Sequence, residues 1–457
     1  MANQRPNILF LMSDEHRATV AGYAGDEVVR TPVLDELART GVVFTHCYTP
    51  SPITVPTMVS LNAGQVPKTC HCEGWLDLEP GHMTVARLFS QYAYETVACG
   101  RLMHQGLDIM AGWTRRIGDD IMTRENYIPD RMAEEWARYA RPFSEVKWSD
   151  AKEVQRAGIG HAHNQTTDDY TVEGALNYLE RHFVDAHYDR ESPDRPLFLR
   201  VGLAQPHSPY LTDADRFRYY LPRVRPFLDE TPFDHPFLSQ RQVRPGIDAT
   251  EREIRRAVAA YYGMVETIDH LYGVVIDALR QVNQDPDEWV IVYCSDHGEM
   301  LGEHGIWEKQ KFFEGSARVP LIIRYPRMFS GGAVVDQNVS LCDLFATLAD
   351  LAGLPVPVGL DSRSLVPLMH GHATGWVGEA LSQFGTTNYM IARGRLKYQW
   401  YGTEMPEVLF DLERNPGETT NYAQDPAYAE AMASFRARLA ALGHGPHADP
   451  GYVNAGY

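Results

Sequence analysis

Three apolar, strand-like runs end in groups that can bind a cation or move a proton. Ile8–Met12 leads into Ser13, Asp14, Glu15 and His16. Trp289–Tyr293 leads to Ser295, Asp296, His297, Gly298 and Glu299, and Leu197–Val201 leads to Gln205, Pro206 and His207. In open α/β sheets, ligands bind beyond the carboxyl ends of the strands. One rim would therefore gather Asp14, Asp296, His297 and His207. Carboxylates with an imidazole make a mostly oxygen-donor site that suits manganese, calcium, magnesium or zinc. A single Asp after a strand is more often a turn or cap residue. Two strand ends with the same pattern weigh against that use.

The segment Ser51–Met58 precedes a short helix expected over Thr57–Asn62 and stopped by Gly64. A hydroxyl just before a helix sits among free backbone N–H groups at the positive end of the dipole, a setting that stabilises an oxyanion. A nearby cation would lower the pKa of the Thr54 hydroxyl and make it a nucleophile. The commoner use of such a hydroxyl is to cap the helix. His104 follows a strand-like run, Glu95–Cys99, and Lys309 lies thirteen residues after Asp296. At the same rim, a His can protonate a leaving group and a Lys can hold a non-bridging oxygen. Cys70–His71–Cys72 has a one-residue gap and no second Cys/His pair, which argues against structural zinc.

Apolar runs of strand length alternate with helix-period segments, so the elements behind these residues read as an α/β sheet with helices on its faces. Helices are expected over Pro32–Arg39, Thr171–Phe183 and Arg255–Leu279. Arg141–Asn164 and Asp213–Ile247 are polar or proline-rich and read as surface excursions. The pattern changes near Gly359–Gly375. Beyond it come strand candidates Tyr389–Arg393, Leu396–Tyr401 and Val408–Leu412, then a helix, Pro426–Leu442. The expected division is a main domain over 1–374 and a smaller α+β subdomain with a tail over 375–457. Loops 112–130 and 388–399 carry aromatic residues, for which core packing is the usual use. A pocket for a cationic head group is the alternative.

The chain has 457 residues, a formal net charge of -18 and 44% hydrophobic residues. That balance fits a soluble globular protein and argues against a nucleic-acid backbone as partner. A small anionic substrate stays admissible, because a local cation can reverse the field inside one pocket. No apolar run is long enough to span a bilayer, and Met1–Pro6 has no signal-peptide pattern. Six cysteines are too few for a disulfide scaffold of this length. The expectation is a reduced, cytoplasmic protein with no membrane partner. The tail, Gly443–Tyr457, could reach a neighbouring subunit in a homo-oligomer.

These residues resemble the sulfatases of the alkaline-phosphatase superfamily. Pro6–Phe10 leading to Asp14 looks like their opening strand, and Thr31–Ala38 like their first helix. Tyr48–Pro52 precedes the position of their nucleophile. Ser295–Gly302 is the most specific segment, continued by Phe313–Glu314 and Ala317–Leu321. Leu409–Leu412 with Asn415–Pro416 resembles their C-terminal subdomain. The similarity covers nearly the whole chain. It looks closest to the choline-sulfatase and phosphonate-monoester-hydrolase branch, in which His follows the second metal-binding Asp. The resemblance implies an alkaline-phosphatase-like α/β/α sandwich with a large mixed sheet and a smaller C-terminal α+β subdomain. It further implies one divalent metal ion on Asp14, Asp296 and His297, with Glu15 a possible further ligand. Thr54 would be nucleophile and metal contact. His104, His207 and Lys309 match pocket residues that bind the substrate oxyanion or assist the leaving group. Arg101 is the nearest match to a family Lys, with one residue inserted there.

The departures bear on chemistry. The family's C/S-x-P-x-R motif, whose first residue is oxidised to formylglycine, reads here Thr54–Val55–Pro56–Thr57–Met58. A secondary alcohol would give a ketone rather than the aldehyde, and Met58 replaces the Arg, so no formylglycine is expected. A Thr alcohol cannot expel sulfate as a formylglycine hydrate does. The leading expectation is hydrolysis of phosphate or phosphonate esters with Thr54 as nucleophile. One alternative is a sulfuric ester or sulfamate hydrolase in which water attacks directly and Thr54 is only a ligand. Another is a non-catalytic metal- or anion-binding homologue.

Overall fold

Ile8–Asp14 is apolar over its first five positions and flanked by strands on both sides, which makes it the centre of the molecule. The structure, a computed structural model, describes residues 5–104, 107–118, 150–184, 195–230 and 233–444. In chain order the strands are β1 (Ile8–Asp14), β2 (Val42–Phe44), β3 (Cys47–Tyr48), β4 (Glu95–Gly100), β5 (Arg115–Ile117), β6 (Gly158–Ile159), β7 (Leu197–Pro206), β8 (Leu211–Thr212), β9 (Val290–Ser295), β10 (Arg318–Val319), β11 (Leu321–Arg324), β12 (Ala333–Val335), β13 (Val339–Ser340), β14 (Glu379–Phe384), β15 (Asn388–Arg393), β16 (Leu396–Tyr401) and β17 (Val408–Asp411).

Among the described residues, eight strands form one mixed sheet in the order β12-β2-β11-β9-β1-β7-β4-β5. β9, β1, β7, β4 and β5 run parallel, whereas β11 is antiparallel to both its neighbours. Because β1, β7 and β9 share a direction, their carboxyl ends open on one rim. Helices α1 (Pro32–Thr40), α4 (His163–Phe183) and α5 (Glu251–Gln281) pack with Leu9, Leu11 and Leu199 on one face. Helices α2 (Thr54–Ala63), α3 (Val85–Gln91) and α6 (Leu344–Leu351) pack with Ile8, Phe10 and Met12 on the other. Alternate residues of β1 therefore feed opposite cores, as the period of two requires. The result is a three-layer α/β/α sandwich.

β14–β17 form a separate antiparallel sheet. Tyr389, Ile391, Tyr398 and Leu409 face α7 (Ala429–Ala441), while Met390, Ala392 and Phe410 pack on Phe312 and Phe313 of the main body. Tyr389 and Tyr398 thus belong to strands with core packing, and the loop read over 388–399 is a β-hairpin. β14 was missing from the expected strands. The polar stretch read over 141–164 contains a helix, Asp150–Arg156, and β6. Its first residues, part of the 112–130 loop and nearly all of the 443–457 tail lie outside the described residues. No helix among the described residues is long and apolar enough to cross a membrane.

Candidate active site

The ends of β1 and β9 are fastened to each other before any side chain meets a ligand. The Glu15 and His297 backbone N–H groups both donate to Asp296 Oδ1, at 3.0 and 2.8 Å. Ser295 Oγ accepts from the His16 N–H at 2.8 Å. Glu15 has φ 70, a left-handed conformation uncommon away from glycine. Tyr261 of α5 holds it by donating to the Glu15 carbonyl at 2.7 Å. Gly298 is needed because a Cβ there would lie 2.1 Å from the Gly315 carbonyl.

This scaffold turns Asp14, Asp296 and His297 onto one point, all fully buried. His297 Nε2 lies 3.6 Å from Asp14 Oδ1 and 3.4 Å from Asp296 Oδ2. Thr54 Oγ1 approaches the same nitrogen at 3.0 Å. The other ring nitrogen, Nδ1, is 3.0 Å from the Gly298 carbonyl, which can only accept. The proton is therefore on Nδ1, and Nε2 keeps its lone pair. Thr54 is the first residue of α2, and Ile53 is the N-cap with no side-chain cap bond. The helix thus begins three residues before the expected Thr57, and Thr54 does not cap it.

Three further residues, Lys309, His207 and Arg101, reach this cluster through Glu15 and Asp14. Lys309 Nζ is 3.3 Å and His207 Nε2 is 3.5 Å from the same Glu15 oxygen. Arg101 Nε is 2.7 Å from Asp14 Oδ2. The turn that delivers Arg101 depends on Gly100 and Gly202, whose added Cβ atoms would meet carbonyl oxygens at 2.3 and 2.4 Å. His104 is buried with both ring nitrogens engaged, Nδ1 by Asp77 and Nε2 by Asn62 of α2, each at 3.2 Å. Asp77 and Asn62 carry no signal in the sequence.

The residues fit a cation. Asp14 Oδ1, Glu15 Oε1 and Asp296 Oδ2 are buried carboxylate oxygens without a hydrogen bond among the described residues. Such groups are costly unless paired. Two triads bring ligand atoms within 4.8 Å of one another: Asp14–Asp296–His297 and Asp14–Glu15–His207. They share Asp14, and the Lys309 ammonium already faces the second. Burial, and then the charge of Asp14, pushes Asp296 up to about 8. Burial also raises Glu15 well above the carboxylate range, against the pull of Lys309. His297 and His207 are held well below the usual imidazole value by burial and then by Lys309. For Lys309 burial opposes the charge, but Glu15 and Asp14 outweigh it and raise the pKa.

The sulfatase family profile matches residues 6–354. This chain belongs to the sulfatase family. The profile described as N-sulphoglucosamine sulphohydrolase, C-terminal, matches residues 302–444. A choline-sulfatase of Rhizobium meliloti is 30% identical over 445 residues, covering 93% of this chain and 84% of the relative. An arylsulfatase of Clostridium perfringens is 26% identical, covering 94% and 93%. The phosphonate monoester hydrolase of Agrobacterium radiobacter superposes with a TM-score of 0.77 at 23% identity, covering 96% of this chain and 95% of that one. A phosphonate monoester hydrolase from Silicibacter pomeroyi gives 0.76 at 21% identity, covering 96% and 95%. The sulfatase-family protein is thus an ester-bond hydrolase of the alkaline-phosphatase-like fold, in a family that generally uses a divalent metal.

Proposed function

We propose that this sulfatase-family protein hydrolyses singly charged esters of a tetrahedral oxyanion, phosphonate monoesters and phosphate diesters foremost, with Thr54 as nucleophile. The observation that carries the reading is Thr54 Oγ1, at the first residue of α2 and 3.0 Å from His297 Nε2. Asp14, Asp296, His297 and Thr54, with Glu15 beside them, would hold one divalent cation. When bound, that cation supplies Lewis-acid polarisation of a non-bridging oxygen and favours an ionised threonine hydroxyl.

The protein's own groups do the rest. Three carboxylates, Asp14, Glu15 and Asp296, face Lys309 and Arg101. With a divalent cation and before Thr54 ionises, the cluster carries one net positive charge, which matches a singly charged ester better than a doubly charged phosphate monoester. Lys309 and the free N–H groups at the start of α2 stabilise equatorial oxygen charge. Thr54 Oγ1, its proton released to solvent, forms the new bond to phosphorus as the alcohol oxygen departs on the opposite side and takes up a proton from solvent. Water then releases Thr54. His207, unprotonated at Nε2, is the base that takes the proton of that water. Phosphorus is favoured over sulfur because a threonine sulfate ester hydrolyses slowly and has no internal route of collapse.

The similarity to a choline-sulfatase and an arylsulfatase favours a second reading, sulfate monoester hydrolysis by direct attack of water. One experiment separates them. Wild type and Thr54→Ala, each reconstituted with manganese, zinc or calcium, are assayed on matched aryl phosphate diester, phosphonate monoester and sulfate monoester. Phosphorus-ester activity lost in Thr54→Ala supports the nucleophile. Sulfate activity that survives the substitution replaces it with the direct-water reading.

A further inference from the structure

We propose that Asn164 and Asp168, one turn apart on α4, are positioning residues that fix which ring nitrogen His207 presents to the active site. The inference rests on the reading of His207 as an active-site base.

Positions four apart on a helix share a face. Here that face meets the loop after β7. The Asp168 carboxylate is fully buried and accepts from the Ala204 N–H at 2.6 Å, the Gln205 N–H at 3.0 Å and the Gln205 side-chain amide at 3.0 Å. These bonds fix the two residues that lead into Pro206 and His207. Asn164 works on the histidine itself. Its Nδ2 donates to the His207 carbonyl at 3.0 Å and to the Ser208 carbonyl at 3.1 Å.

The Ser208 carbonyl is also the partner of His207 Nδ1, at 2.8 Å. A carbonyl only accepts, so the ring proton sits on Nδ1 and Nε2 faces Glu15 Oε2, 3.5 Å away, with its lone pair. Beside an ionised Glu15, a histidine free to choose would take the other tautomer and donate Nε2–H to it, because charge-assisted hydrogen bonds are the stronger kind. That tautomer would leave no lone pair for a proton or a cation. Asn164 opposes it by holding the Ser208 carbonyl where Nδ1 must donate to it. Asp168 keeps the preceding backbone from following the ring if it turns. α4 is itself anchored by Gln165, whose Nε2 donates to the Leu211 carbonyl at 2.6 Å.

The test uses the full chain with ¹⁵N-labelled histidine, metal-free and at alkaline pH so that Glu15 is ionised, with His207 resonances assigned by their loss in His207→Gln. Wild type should show the Nδ1–H tautomer. Asn164→Ala should populate the Nε2–H form. With metal restored, Asn164→Ala should also lower kcat by about tenfold to a hundredfold, the usual cost of losing an orienting partner. In a His207→Ala background the same change should do almost nothing. An unchanged tautomer in Asn164→Ala, or an equal loss in both backgrounds, overturns the proposal. Asp168→Asn is the companion variant; should it fail to fold, the half-buried Asn164 still decides the matter. Should no ester be hydrolysed under any condition, the spectra still test the clamp, so its failure and that of the functional reading remain distinct.

Discussion

Lys309 is the residue on which the charge argument turns. It is a buried ammonium 3.3 Å from Glu15, and it lowers the pKa of both His297 and His207. Lys309→Met removes one positive charge where the reaction concentrates negative charge. The expected loss in kcat/KM for a singly charged ester is about a hundredfold, or about 2.7 kcal/mol, the scale of losing one oxyanion donor. Bound metal should not fall, because removing a cation strengthens the field of the carboxylates. Steady-state kinetics with metal analysis checks both; a rate within about twofold of wild type would remove Lys309 from the chemistry. Asp14, Asp296, His297 and His207 were legible because each closes a strand-like run. Arg101 was blurred by an inserted residue, and Asn62 and Asp77 by having no strand end or motif to mark them. Asn164 and Asp168 were missed, because the helix was expected only from Thr171 and Asn164 was read as part of a surface excursion; the helix in fact starts at His163, and only the fold shows what that face meets.

At the scale of elements, the small sheet is tied to the main body by a buried ion cluster as well as by Phe312, Phe313 and Phe410. Lys397 is fully buried, 2.9 Å from Glu314 and 2.5 Å from Glu418, and the Glu314 N–H donates to Glu418 at 2.6 Å. Burial pushes Glu314 up, but Lys397 and Arg318 outweigh it and hold it down to about 2. Burial dominates at Glu418 and takes it up to about 7. The depressed Glu314 stabilises the fold above its ordinary 4.5 and loses that contribution as pH falls through about 2. The raised Glu418 contributes below 4.5 and loses that as pH rises through about 7. Lys397→Met strips both carboxyls of their cation. It should cost about 3–5 kcal/mol. Both carboxyls would then rise, so the deficit against wild type should widen from about pH 5 to about pH 8. Denaturant unfolding across that range measures it, and a deficit that narrows with pH would contradict the assignment. The sequence marked β15–β17 and α7 by their periodicity. It did not mark β14, whose Glu379, Ser382 and Gln383 interrupt the apolar alternation.

The whole molecule carries a net charge of -18, yet its centre concentrates three buried carboxylates at the meeting point of β1 and β9. Composition reports the first fact and is silent on the second, because only the parallel sheet brings Asp14 to Asp296 from the far side of the chain. Without a cation, and above the value of about 8 to which Asp296 is raised, Asp14 and Asp296 repel across the ends of the two central strands, and burial denies them the screening of water. Chelation should therefore lower Tm. Restoring a cation at a hundredfold excess over its Kd should return about 2.7 kcal/mol. Asp296→Asn separates this from a nonspecific effect of metal, because the two states should respond with opposite sign. The variant loses one of the repelling charges, so its metal-free form should melt above metal-free wild type. It also loses a ligand, so added cation should raise its Tm little. The amide keeps an acceptor for the Glu15 and His297 N–H groups, which holds the strand ends as they are. Melting both proteins at about pH 9, where Asp296 is ionised, with and without calcium gives four temperatures. If metal-free Asp296→Asn melts below metal-free wild type, repulsion does not govern the strand ends, and the hydrogen bonds to the ionised carboxylate outweigh it.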